Sequence, residues 1–176
     1  EPWAQREFRT WRLRALSQAQ LTRWLYVSAF TSRARSIFYD PADPFLGHTL
    51  VASTEVSLQP TGHLNVSLGY DRSSFDRTTG GERVYAVDVF NGRTTYQFDR
   101  SLALRAIVQH DGSADQVLTD ALASFELVPG TVAFLGYGSL LERREWETEA
   151  GGAPTSPRYL TARRGVFFKL SYAHRF

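Results

Sequence analysis

The segment LVASTEVSLQPTGHLNVSLGYD, residues 50–71, contains two alternating runs joined by a turn. In the first run four of the five even positions from Leu50 to Leu58 are apolar, the exception being Thr54, and most residues between them are polar; the run at 64–71 repeats the pattern. A period of two is typical of a strand with one apolar and one polar face. Pro-Thr-Gly at 60–62 supplies the backbone angles of a turn. The segment therefore predicts a β-hairpin.

Similar alternating runs recur along the chain and predict further strands. We predict eight strands, at 20–33, 47–59, 63–76, 83–98, 101–111, 116–128, 131–145 and 163–176. Residues 8–16 alternate in the same way and predict a ninth, so 1–18 is expected to be an additional strand or a periplasmic lead-in. Each of the eight is long enough to cross a hydrocarbon layer when tilted by about 45°. The predicted fold class is all-β, an antiparallel up-and-down transmembrane barrel with eight or nine strands visible in one domain, 1–176.

The connections between the predicted strands differ in length at the two ends. Short turns rich in Pro, Gly and Asp fall at 60–62, 99–100 and 129–130. Longer polar connections join the opposite ends, at 33–46, 76–82, 111–115 and 147–161. Short periplasmic turns and long outer loops are typical of outer-membrane barrels.

Composition excludes several classes of protein. The 176 residues include 20 Lys and Arg against 18 Asp and Glu, a balance that does not predict nucleic-acid binding. No cysteine is present, so disulfides and thiolate metal sites are excluded. The longest apolar runs, 24–27 and 132–135, are far shorter than the ~20 residues of a membrane-spanning helix. The histidines have no metal-ligand spacing, so we expect no metal and no cofactor. The chain opens at Glu1 rather than Met, and we expect it to be processed or truncated.

The final run ends on an aromatic residue. Val166, Phe168, Leu170, Tyr172 and Phe176 are predicted to share one strand face. This ending resembles the C-terminal signal of bacterial outer-membrane proteins, which the barrel-assembly machinery reads; His174 departs from it, because that position is usually apolar or aromatic. The resemblance implies outer-membrane lipid and that machinery as partners.

Three stretches carry a further resemblance: YQFDRSLALRAIVQ at 96–109, ELVPGTVAFLGYGSLLE at 126–142 and RRGVFFKLSYAHRF at 163–176. They resemble the C-terminal part of an uncharacterised family of Gram-negative outer-membrane β-barrel domains. That barrel often follows a domain like carbohydrate-binding module family nine. The resemblance implies the last strands of a larger barrel, completed by upstream strands or another chain, and it implies no catalytic residue.

The polar face of the predicted strands gathers charges of both signs. The candidates for lining a lumen are Arg12, Arg14, Glu55, Asp71, Arg93, Arg105, Asp120, Glu126, Lys169 and Arg175. One interpretation is a water-filled pore whose arginines favour anionic solutes. The other is a plugged lumen in which opposite charges pair across neighbouring strands.

Aromatic residues near strand ends predict two belts at the lipid–water interfaces. The belt near the short turns would contain Tyr96, Phe98, Phe125, Tyr172 and Phe176, and the belt near the long loops Tyr70, Phe75 and Tyr85. Two strands do not alternate cleanly. A bulge near 88–91 would reconcile the two halves of 83–98, as would extension of this strand beyond the membrane, where both faces can be mixed. Gly136 and Gly138 leave one face of 131–145 nearly bare.

The sequence predicts an outer-membrane barrel that acts as a pore or as a membrane anchor or assembly partner for a periplasmic domain. An alternative from another class is a soluble lipocalin-like barrel that binds a small apolar ligand, because periodicity does not tell which medium the apolar face meets. A less favoured alternative is an outer-membrane lipid hydrolase that uses His110, Asp111 and Ser113.

Overall fold

The computed structural model describes residues 2–3, 6–7, 9–40, 43–144 and 158–172. Within these residues every regular element is a strand. In chain order they are β1 (Pro2–Trp3), β2 (Arg6–Glu7), β3 (Trp11–Thr22), β4 (Leu25–Phe38), β5 (Phe45–Leu58), β6 (Leu64–Arg77), β7 (Arg83–Gln97), β8 (Leu102–Asp111), β9 (Gln116–Val128), β10 (Thr131–Arg144) and β11 (Arg158–Tyr172). The predicted all-β class is confirmed.

The nine strands β3 to β11 form one antiparallel sheet in which each strand pairs with its sequence neighbours. The predicted up-and-down order is therefore confirmed. The sheet is open: β3 and β11 are its edges, and within the described residues each pairs with one neighbouring strand. The strands β1 and β2 pair separately with each other.

The first predicted strand, 20–33, is wrong in its boundaries. A turn at Arg23 and Trp24 divides it, and the predicted ninth strand at 8–16 extends to Thr22 as β3. The Gln20 carboxamide donates hydrogen bonds to the carbonyl oxygens of Thr22 and Leu25, at 2.6 and 3.2 Å, and closes the turn. Neither turn residue is Gly or Pro, so the composition gave no turn signal here.

The register of the sheet is sheared. Leu25, the first residue of β4, begins a row of paired residues that runs through Leu58, Val66, Thr94, Ala106 and Ala121 to Tyr137. Tyr137 is the seventh residue of β10, although the short turns at the starts of both strands lie on the same side of the sheet. The strand ends are therefore displaced by about one residue per strand, which is the kind of stagger that a barrel requires.

The bulge predicted near 88–91 is wrong. Pairing between β6 and β7 is continuous there, with Tyr70 opposite Phe90 and Arg72 opposite Asp88. The register shifts further on, where Phe75 pairs with Tyr85 but Asp76 pairs with Arg83. Without a bulge between them, the apolar residues of β7 lie on one face in the first half of the strand and on the opposite face in the second half.

The two faces of the sheet have different compositions in their turn-side halves. We call one the apolar face; it carries Leu58, Leu68, Leu104, Leu135 and Phe168. We call the opposite one the charged face; it carries Glu55, Arg93, Arg105 and Lys169. Toward the long loops the compositions exchange, and aromatic residues occupy the charged face.

A cluster of four aromatic rings packs on the charged face at its long-loop end. The ring of Phe75 is 5.4 Å from that of Phe38, 6.1 Å from that of Phe45 and 6.1 Å from that of Tyr85, centroid to centroid. Phe75 and Tyr85 therefore do not belong to a belt on the apolar face, and that part of the prediction is wrong. Tyr70 does lie on the apolar face, opposite Phe90.

Gly136, on the charged face of β10, lies so close to a side chain of the neighbouring strand that a larger residue would meet it. The ring of Phe167 from β11 occupies the space where a Cβ of residue 136 would lie. Gly165, on the same face of β11, has open space at the corresponding position.

We expect Gly136→Ala to lower the free energy of unfolding by about 1–3 kcal/mol, because the methyl group would displace the Phe167 ring. Gly165→Ala is the matched control and should change it by less than about 0.5 kcal/mol. Urea titration of both variants in detergent measures the difference. Equal losses in the two variants would show that the Phe167 ring does not limit the site.

Candidate functional site

An apolar band covers the turn-side half of the apolar face. Aromatic residues border it near the short turns, where Tyr96, Phe125 and Tyr172 are 41%, 43% and 69% exposed. Tyr70 and Phe90 border it toward the long loops. Aromatic residues therefore border the apolar band on both sides.

The predicted C-terminal signal contributes to this band. Phe168, Leu170 and Tyr172 lie on the apolar face of β11, paired with Leu135, Ala133 and Thr131. Phe176 and His174 lie outside the described residues.

A recess in the apolar band has a floor of small side chains. Ala106, Ala121 and Ala123 form the floor, and Tyr96 and Tyr137 are among the larger residues that line it. Its volume is about 480 Å³. A bulkier side chain at residue 106 therefore has space available on this face.

The predicted lumen residues share the charged face. The register places nine of them there, namely Arg12, Arg14, Glu55, Asp71, Arg93, Arg105, Asp120, Glu126 and Lys169. Arg175 lies outside the described residues. Five of the nine are basic and four are acidic, so the charges of this face nearly cancel.

A polar groove crosses the charged face from β5 to β9. It has a volume of about 460 Å³, and its lining includes Glu55, Asp71, Arg93 and Asp120. Because residues from five neighbouring strands line one groove, the charged face is concave there. Four of the predicted lumen residues are thereby brought together.

The groove carboxylates bind hydroxyl groups of neighbouring strands. The Ser53 hydroxyl donates to Asp71, and the Ser67 hydroxyl donates to Glu55 at 3.3 Å. Lys169 lies 6.0 Å from the centre of the Phe134 ring. Among the residues that the structure describes, no ion pair joins two of the predicted lumen residues.

Ion pairs lie instead toward the long loops. The described pairs are Arg72 with Asp88, Arg77 with Asp43, Arg83 with Asp76, and Arg143 with Asp115, at 3.0, 3.0, 3.0 and 3.8 Å. The predicted pairing of charges across the polar face is therefore not the arrangement observed in the described part of the chain. Glu55, Asp71 and Arg93 of the groove are exposed, and Asp120 is half-buried.

The sequence pattern did not predict which side chains cover two glycines on the charged face. The Asp120 carboxylate lies above Gly138, and the Phe167 ring lies above Gly136. The face that the glycines leave bare in β10 is thus covered from β9 and β11. A glycine beside a bulky or charged cross-strand neighbour is the signal that could have indicated this.

The residues of the proposed hydrolase triad do not assemble as one. The Ser113 hydroxyl donates to Asp111 at 2.6 Å, and the Ser113 backbone N–H donates to the same oxygen at 2.8 Å. His110 lies on the apolar face, with Nε2 3.3 Å from the Tyr159 hydroxyl, whereas Asp111 lies on the charged face. In a hydrolase the Ser113 hydroxyl would donate its hydrogen bond to a general base. Here it donates to the Asp111 carboxylate, as in an ordinary Asx turn.

Asp99 stabilises the short turn between β7 and β8. Its carboxylate accepts hydrogen bonds from the Ser101 hydroxyl and from the backbone N–H groups of Ser101 and Leu102, at 2.8, 2.7 and 2.9 Å. These bonds favour the charged form and lower the pKa of Asp99, the Ser101 hydroxyl contributing most. The stabilisation is present above the ordinary aspartate pKa and is lost as pH falls through the lowered one.

The described residues contain no group of three or more His, Asp or Glu side chains that could hold a metal ion. None of the described residues forms a helix long and apolar enough to span a membrane.

The fold and this site define an all-β protein with a nine-stranded, up-and-down, open antiparallel sheet. Comparison with protein-family models, curated proteins and solved structures finds no match to this chain.

Proposed function

We propose that this chain forms part of the wall of a β-barrel in the outer membrane of a Gram-negative bacterium, where it acts as a pore. The observation that carries the proposal is the apolar band with its aromatic borders, on the face opposite the charged groove. Lipid would cover the band, and water would fill the groove. The same arrangement suits a membrane anchor or assembly partner for a periplasmic domain.

The exposed area of the chain supports an apolar environment for the band. The accessible surface is 13049 Å², whereas a compact globular protein of 19.9 kDa exposes about 8,700 Å². The buried apolar core among the described residues consists of Ala34, Ile37 and Phe75. Exposed apolar side chains of the band, such as Leu68, Leu104 and Leu135, would be unfavourable in water and are not so in lipid.

Closure of the sheet requires strands beyond the nine. The edge strands β3 and β11 both run toward the short-turn side of the sheet. A closed barrel in which every pair is antiparallel contains an even number of strands, so we propose that an odd number of further strands completes it. These come from upstream sequence or another chain, because unpaired edge groups are unfavourable in lipid.

The near balance of charge on the groove face predicts a pore with weak charge selectivity. The groove itself is lined by one basic residue, Arg93, and by three acidic ones, Glu55, Asp71 and Asp120, so a passing solute would meet groups of both signs with an acidic excess. A small polar solute of either charge fits this composition better than a strongly anionic one.

Two adjacent residues of β8 provide the experiment. Ala106 lies on the apolar face and Ile107 on the charged face. The chain has no cysteine, so Ala106→Cys and Ile107→Cys each accept a single fluorophore. We expect nitroxide-labelled lipid to quench the fluorophore at position 106 strongly, and an aqueous quencher to favour position 107.

The lipocalin alternative gives a different result in the same experiment. In a soluble barrel the apolar face turns inward, so lipid would quench neither position. A chain that is monodisperse in buffer without detergent and is unquenched at position 106 would overturn the membrane proposal.

A further inference from the structure

On the apolar face, basic residues take the place of apolar ones at a constant distance from the short-turn ends of four strands. Arg33 on β4, Arg72 on β6, His110 on β8 and Arg164 on β11 all lie on this face. Each is the ninth residue counted from the short-turn end of its strand. We call these four residues the basic rim. Eight residue steps span about 26 Å along a strand, or about 20 Å of height at a tilt near 40°, comparable with the apolar band of a membrane barrel.

Arg33 differs from Arg72 in its neighbours. Arg72 is paired with Asp88 at 3.0 Å. Arg33 has Leu13 and Leu50 directly beside it on the adjacent strands, and it is exposed. No ion pair of Arg33 occurs within the described part of the chain.

Arg35 stands two residues further along the same face and continues the pattern. Its neighbours on the adjacent strands are Trp11 and His48. Arg35 Nε and His48 Nδ1 are buried, and neither has a hydrogen-bond partner in the described structure. Arg33 and Arg35 thus lie two residues apart at the border of the apolar band, and neither forms an ion pair with another described residue.

A shallow recess beside Arg35 offers further polar groups. It has a volume of about 510 Å³, and Arg77, Thr78, Thr79 and Glu82 are among its lining residues. Arg77 is paired with Asp43. Two residues with hydroxyl groups, Thr78 and Thr79, and one carboxylate, that of Glu82, line this recess together with Arg35.

We infer that Arg33 and Arg35 bind the phosphate of a lipid headgroup in the leaflet nearest the long loops. Guanidinium groups match phosphate oxygens with paired hydrogen bonds. The acyl chains of the same lipid would lie along Val27 and Leu25, below the arginines on the apolar face. Trp11 lies at the height of Arg35, a level that interfacial tryptophans favour. The inference rests on the proposed membrane function.

The test compares lipids that differ in their headgroup. Full-length protein in detergent is incubated with phosphatidate or with phosphatidylcholine, and retained lipid is counted by native mass spectrometry. We expect retention of phosphatidate to exceed that of phosphatidylcholine. Arg33→Gln combined with Arg35→Gln should weaken phosphatidate binding roughly 30-fold, given about 1 kcal/mol per basic residue near a membrane surface.

A matched control removes the same charge from the other face. Arg93→Gln combined with Arg105→Gln should leave phosphatidate binding unchanged, because both residues lie on the charged face. Inorganic phosphate at millimolar concentration should not displace the lipid, since the acyl chains contribute to binding. Displacement by inorganic phosphate would show a free-anion site and overturn the lipid assignment.

The outcomes separate this inference from the proposed function. Lipid quenching of the fluorophore at position 106, together with equal phosphatidate retention in wild type and the Arg33/Arg35 variant, would overturn the headgroup site alone. Equal weakening in the Arg93/Arg105 control would show a non-specific charge effect and would also overturn it. Absence of lipid quenching at position 106 would instead overturn the membrane proposal.

Discussion

Replacing Ala106 with arginine should prevent stable insertion of the chain into lipid. Ala106 is the fifth residue of β8, and on the apolar face it lies between Thr94 and Ala121. An arginine near the middle of a lipid-facing barrel surface costs about 2–4 kcal/mol. The alanine-floored recess leaves space for the longer side chain, so desolvation of the guanidinium, rather than a steric clash, would cause the loss.

Ile107→Arg is the matched control for this prediction. Ile107 faces the charged side, between Arg93 and Asp120 in its row. The new guanidinium would meet water and a carboxylate there, so we expect a loss of less than about 1 kcal/mol. Urea titration in lipid vesicles, followed by tryptophan fluorescence, compares the two variants. A loss for Ile107→Arg as large as that for Ala106→Arg would contradict the assignment of faces.

The strands that sequence reasoning located best are those that alternate throughout and end at strong turn formers. The hairpin of β5 and β6 is of this kind, with Pro60 and Gly62 between two clean alternating runs. Period and turn chemistry agree in such a segment, so few other structures compete. The same agreement explains why the nine described lumen candidates share one face.

The turn at Arg23 and Trp24 could not be found in this way. Polar and apolar residues alternate before it at 18–22, the apolar run 24–27 begins within it, and neither turn residue carries a backbone preference strong enough to mark it. The turn depends on side-chain hydrogen bonds that Gln20 donates to backbone carbonyls and on one that the Thr22 hydroxyl accepts from the Trp24 backbone N–H. Such contacts follow from the register of β3 and β4, which a local pattern does not contain.

The faces were predicted well in the turn-side half of the sheet and poorly toward the long loops. There the apolar and polar residues exchange faces, so Phe75 and Tyr85 pack with Phe38 rather than joining a belt. Alternation predicts the two faces of a strand correctly only where each face contacts the same medium, lipid or water, along the whole strand. A strand that leaves the apolar layer meets water on both sides, and local packing then determines which residues turn inward.

The aromatic cluster should contribute most to stability through Phe75. This residue is 4% exposed, and its ring covers Gly47 as well as contacting Phe38, Phe45 and Tyr85. We expect Phe75→Ala to lower the free energy of unfolding by about 3–5 kcal/mol, because the neighbouring strands cannot close the cavity. Urea titration in detergent measures the loss, and Phe75→Leu should recover much of it by refilling the volume.

Phe90→Ala provides the comparison for Phe75→Ala. Phe90 is 43% exposed on the apolar face, so its replacement removes contacts with detergent or lipid rather than with packed protein. Its effect should be clearly smaller than that of Phe75→Ala. If the two variants lost the same free energy of unfolding, packing within the cluster would add no stability beyond the transfer of an aromatic ring out of water. A larger loss at Phe75 would instead locate the most stable packing of the sheet at its long-loop end, where the ion pairs of Arg77 and Arg83 also lie.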